Sequence, residues 1–157
     1  MKKTNEKLFH AFMTLLLIVS VFIPLLKTSY TVKADELPSN SYTMTTSPTI
    51  NNNRLVDGAK YGEGKFYLNP TYKFDNSATL KNGDFMVYKV PKEFKVERDI
   101  TTDIYAKDGA TKIAELQTNA ATNSATVTIT NEEYFKNLTE DRELTALFTV
   151  VWADDVE

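Results

Sequence analysis

The sequence predicts an all-β fold in the form of an antiparallel β-sandwich, and three observations carry that prediction. Apolar residues recur with period two in several short segments beyond Arg54. Turn formers, Asn82-Gly83 and Asp108-Gly109 among them, separate these segments. No amphipathic helix of useful length interrupts them.

The chain divides into three parts. Lys2, Lys3 and Lys7 precede a run from Phe12 to Leu26 that is apolar apart from Thr14 and Ser20, and Val32-Lys33-Ala34 suits a signal peptidase, so residues 1–34 read as an export signal. Pro24 and the polar stretch Lys27 to Lys33 favour cleavage over a retained anchor, and no membrane association is expected afterwards. Residues 35–53 are rich in Ser, Thr and Asn and read as a flexible spacer, with at most one strand near Tyr42 to Thr46. Residues 54–157 form the folded domain, close to the roughly 100 residues of an immunoglobulin-like sandwich.

Within that domain Lys65 to Leu68 reads as a strand after the Gly62-Glu63-Gly64 turn. Asp84 to Val90 alternates. Lys89 belongs in water, so parity turns Met86, Tyr88 and Val90 inward and Phe85 and Val87 outward. Gly83 relieves the backbone before this strand, and Pro91 ends it because proline lacks a donor. Thr101 to Ala106 and Lys112 to Gln117 flank a Lys-Asp-Gly-Ala turn and predict a hairpin. Ala125, Val127 and Ile129 alternate with threonines, and Asn131 to Leu138 reads as a short helical turn. Glu143 to Trp152 is the longest predicted strand, with Leu144, Ala146, Phe148, Val150 and the only tryptophan, Trp152, on its core face.

Composition excludes much chemistry. The chain of 157 residues has no cysteine, so the core must stabilise the domain without disulfides. Its 18 basic and 21 acidic residues include five lysines and Glu6 in the leader; the remainder holds 13 against 20, a net charge near −7. An acidic domain without a basic run is a poor partner for nucleic acid. The single histidine, His10, lies in the leader, and with cysteine absent as well, histidine-dependent triads, thiol nucleophiles and the usual zinc sites are removed. The pairs Glu132-Glu133, Glu140-Asp141 and Asp154-Asp155 could supply acid and base, but their polar settings read as solvated surface. Asp99 and Asp103 lack the glycine turn of a calcium loop. No catalytic residue, metal site or cofactor is therefore expected. Lys73, Lys89 and Lys112 are candidates for an internal lysine–asparagine cross-link, and nothing in the sequence distinguishes one of them.

The segments Leu80 to Pro91 (LKNGDFMVYKVP), Ile104 to Gln117 (IYAKDGATKIAELQ), Val127 to Phe135 (VTITNEEYF) and Leu144 to Trp152 (LTALFTVVW) resemble, in order and spacing, the immunoglobulin-like N-terminal modules of Gram-positive surface adhesins that bind collagen or fibrinogen. The resemblance implies a non-enzymatic module, secreted or displayed on the cell wall, that adheres to a host extracellular matrix or plasma protein. It further implies an adjacent immunoglobulin-like module, making this chain the leading part of a longer anchored protein. The alternative is a structural stalk without its own ligand. From parity, Phe85 and Val87 make an outward apolar surface that Tyr105 could join, a candidate protein-binding face unless the 35–53 segment covers it.

Overall fold

The computed structural model describes residues 34–50, 53–55, 61 and 64–153. The leader expected over residues 1–34 lies outside them except for Ala34. The elements are β1 (Tyr42–Thr45), β2 (Thr49–Ile50), β3 (Asn53–Arg54), β4 (Phe66–Leu68), β5 (Thr71–Phe74), β6 (Phe85–Lys89), β7 (Phe94–Lys95), β8 (Thr101–Tyr105), β9 (Lys112–Asn119), β10 (Ser124–Ile129), α1 (Glu132–Asn137), β11 (Glu143–Thr145) and β12 (Phe148–Trp152). All named strand pairs are antiparallel, as the alternating pattern predicts.

One sheet has the order β6-β10-β9-β8. The other layer consists of β1-β5-β11 and β3-β2-β4-β12-β7, and register joins these two groups. Leu144 faces Tyr72 and Phe148 faces Leu68, so the offset is identical on both sides of the gap. Tyr42 facing Phe74 and Thr49 facing Tyr67 likewise share one offset. The interruption has a chemical cause at Pro70. Its carbonyl accepts from Ala146 N at 3.0 Å, but the reciprocal bond cannot form because proline has no N–H. Beside it, Asn69 Oδ1 accepts from Ser47 N at 3.0 Å and replaces a ladder bond on the other side. The long final strand expected from Glu143 to Trp152 is therefore split into β11 and β12, while its face parity survives: Leu144, Ala146, Phe148 and Val150 are all buried.

The inner faces meet in one hydrophobic cluster. Met86, Tyr88 and Val90 point inward, and Tyr88 packs edge-on against Phe148 at 6.1 Å between the layers. Phe74 contacts Phe135 of α1 at 5.6 Å, which roofs one end. Trp152 departs from its expected place in the core: it is half-buried at the other end, stacked on Phe94 at 4.9 Å and tilted against Phe66 at 4.5 Å. It is the last residue of β12 and faces Phe94 there.

The segment expected to be a flexible spacer is instead part of the fold. Leu37 N donates to Phe85 O at 2.8 Å and Phe85 N to Asp35 O at 3.1 Å, a short parallel pairing along the edge of β6. The chain then turns at Pro38, where Ser41 N bonds its carbonyl at 2.8 Å, and enters the opposite layer as β1. Residues 35–50 thus bond to both sheets. Low apolar content suggested disorder, but Leu37 is buried and Tyr42 packs edge-on to Tyr72 at 5.5 Å. Backbone pairing with two open edges supplies the rest. Among the described residues no helix is long and apolar enough to cross a membrane.

Candidate functional site: the outer face of the four-stranded sheet

The strand alternation that fills the core also builds the opposite face. Cross-strand registers align Val87, Thr126, Gln117 and Thr101 in one row and Phe85, Thr128, Glu115 and Asp103 in the next. Lys89, Ser124 and Asn119 continue the array. A shallow concavity of about 460 Å³ lies over it, with Val87, Lys89, Thr101, Gln117, Asn119 and Thr126 in its lining. Its walls combine hydroxyls, amides and aliphatic carbon with the charged side chains of Lys89 and Asp99, suited to hydrogen bonding with a polar extended ligand.

A bulge sets one border of this face. Tyr105 faces Lys112 while Ile104 faces Ala114, so β9 carries one extra residue there. Ile113 and Ala114 are consequently both buried, and Lys112 turns outward to pair with Asp103 and, at 3.3 Å, with Glu115. Its ammonium pKa is raised, first by the hydrogen bond to Asp103 and then by Glu115. Below the bulge the predicted turn forms as drawn from sequence: Gly109 takes φ +69°, and Asp108 Oδ1 accepts from Ala110 N and Thr111 N at 2.9 Å each. The Thr111 hydroxyl bond, chief among these, holds the Asp108 carboxyl below its ordinary range.

The three residues singled out from sequence do not make one patch. Phe85 and Val87 lie side by side on β6, outward and half-buried, with residues 35–37 paired alongside. Tyr105 is 49% exposed on β8, at the opposite edge. Two strands intervene, a separation of about 14 Å at ordinary strand spacing. Val87 lines the concavity, and Phe85 and Tyr105 stand outside its lining. The rest of the lining, Thr126 and Gln117 in particular, is not among the sequence candidates, although the threonine alternation that turns Ala125, Val127 and Ile129 inward also turns Thr126 and Thr128 outward.

The other sequence candidates have structural employment. Glu132 accepts from Asn82 N at 2.9 Å, and Glu133 pairs with Lys136 at 3.6 Å. Asp99 Oδ1 accepts from Ala120 N at 2.7 Å. Among the described residues no three metal-binding side chains gather. Lys73 and Lys89 are exposed and Lys112 is half-exposed within its acidic pairings, so none has the buried setting an internal cross-link requires. The pair Asp154-Asp155 lies outside the described residues.

Residues 61–148 match the family described as bacterial Ig domain. No curated protein matches the chain.

Proposed function

The chain belongs to the bacterial Ig-domain family, and from that premise we propose that it is a non-enzymatic adhesin module of a Gram-positive surface protein. In this reading residues 1–34 direct export, and the domain is displayed on the cell wall as part of a longer anchored protein. Its partner is a host matrix or plasma protein of the collagen or fibrinogen class.

The observation that carries the proposal is the solvent-facing row Val87, Thr126, Gln117 and Thr101 under a shallow concavity. Such a surface supplies side-chain hydrogen bonds in a regular array, and the neighbouring β8 edge can offer backbone pairing to an extended segment. Surface plasmon resonance of the chain over immobilised collagen and fibrinogen tests it. Saturable binding to one of them, abolished by Thr126→Arg with Gln117→Arg, supports the reading. Absence of saturable binding to both, or binding indifferent to the two arginines, overturns it.

A spacer role is favoured by one feature: residues 35–50 bond to both sheets, a geometry that would transmit tension from the preceding chain into each layer. Adjacent immunoglobulin-like modules are the natural neighbours in either reading.

A further inference from the structure

A second cavity, about 640 Å³, opens between α1 and the loop of residues 76–81 and shares no lining residue with the outer-face concavity. At its wall is Arg142, only 7% exposed. Arg142 Nη1 donates to the carbonyls of Asp75 and Asn76 at 2.9 and 3.0 Å, both neutral acceptors. Its Nε is buried without a partner, and no described carboxylate forms an ion pair with the guanidinium. The Asp75 carboxylate, bonded to Ser77, feels the guanidinium charge without forming an ion pair with it, so the orphaned Nε still lacks an acceptor, which is unfavourable for a buried donor.

Lys81 and Lys136 bring ammonium groups to the lining, the second shared with Glu133 at 3.6 Å, while the Glu132 Oε2 there already accepts from Asn82 N at 2.9 Å. Leu80 and Phe135 contribute apolar wall.

We propose that this cavity binds an organic carboxylate with an apolar body, the carboxylate held by Arg142 and Lys81 and the body against Leu80 and Phe135. Charge-assisted hydrogen bonds from a partly desolvated guanidinium give the carboxylate its selectivity. The apolar walls distinguish such an acid from a bare anion.

The probes are 4-phenylbutyrate, its neutral analogue 4-phenylbutanol, and acetate, titrated into the isotope-labelled chain and followed by amide shifts. Phenylbutyrate is expected to saturate shifts at Ala78, Lys81 and Phe135, with the alcohol and acetate each weaker by about tenfold or more. The double variant Lys81→Ala with Lys136→Ala leaves the Arg142 pins in place and is expected to weaken phenylbutyrate by about tenfold. Arg142→Gln, if it folds, should remove binding. No saturable shift at these amides, equal affinity for the alcohol, or an unchanged affinity in the double lysine variant would each overturn the assignment.

Discussion

Asn82 and Glu132, fifty residues apart in sequence, hold each other by two reciprocal bonds. Asn82 Oδ1 accepts from Glu132 N at 2.9 Å, and Glu132 Oε2 accepts from Asn82 N at 2.9 Å. The pair closes the first turn of α1 against the turn before β6, assisting Asn131, whose Oδ1 caps Tyr134 N at 3.0 Å. Alanine at either position is expected to lower stability by about 1 kcal/mol. The double variant should fall short of the sum by at least about 0.5 kcal/mol, because each single change removes one bond and loosens the geometry that holds the other. Urea unfolding of the four proteins measures the coupling, and strict additivity would refute it.

Gly83, next to this clamp, adopts φ +93°, and an added Cβ would stand 3.1 Å from the Ala34 Cβ. Its N–H bonds Ile129 O at 2.8 Å, so the turn cannot relax without breaking a link to the end of β10. Gly83→Ala is expected to destabilise by at least about 1–2 kcal/mol, the usual penalty for a side chain in left-handed backbone. A thermal midpoint equal to the parent would contradict this.

Asn123 joins three elements through one side chain and one carbonyl. It donates from Nδ2 to Phe94 O and accepts at Oδ1 from Val96 N, each 2.9 Å, while its carbonyl accepts from Val90 N at 3.1 Å. It does so at φ +47°, a conformation asparagine tolerates. Asn123→Ala is expected to cost about 2–3 kcal/mol, from two lost hydrogen bonds and added strain. Asn123→Gly relieves the strain alone and should lie between alanine and the parent. Faster amide exchange at Val96 in both variants would report the lost bond directly.

Tyr72 is fully buried, and its hydroxyl has no partner. Tyr72→Phe is therefore expected to leave stability unchanged or raise it by up to about 1 kcal/mol. Burial raises the Tyr72 phenol pKa above its ordinary value, with Tyr42 and Tyr88 adding to the effect. A phenol raised in the folded state contributes stability that is present below the unfolded pKa, about 10, and lost as pH rises above it. The parent should weaken progressively above about pH 10, and Tyr72→Phe should lessen that loss. Identical alkaline unfolding curves would sink this account.

The acid limb has the opposite sign. Asp75 and Asp108 are held below the ordinary carboxyl range by bonds from Ser77 and Thr111 respectively. Carboxyls lowered in the folded state contribute stability present above the unfolded pKa, about 3.9, and lost as pH falls below it. Thr111→Val removes the larger cause at Asp108 and should flatten the decline below about pH 4; an unaltered acid profile would count against it.

What sequence alone determined is what short-range chemistry dictates. Alternation assigned the inward faces of β6, β10 and β12, since side chains on a strand must point to opposite sides. Gly83 and Gly109 marked their turns because few other residues take positive φ. Tertiary structure decided the rest, for reasons that are non-local. Residues 35–50 looked too polar to fold, yet two open sheet edges gave their backbone partners. Phe85, Val87 and Tyr105 share an outward parity, but strand order sends them to opposite edges. Pro70 breaks the long ladder only because Ala146 stands opposite it. Asn123 meets Phe94 O and Val96 N, and Arg142 meets the carbonyls of Asp75 and Asn76, only because the fold brings together segments dozens of positions apart.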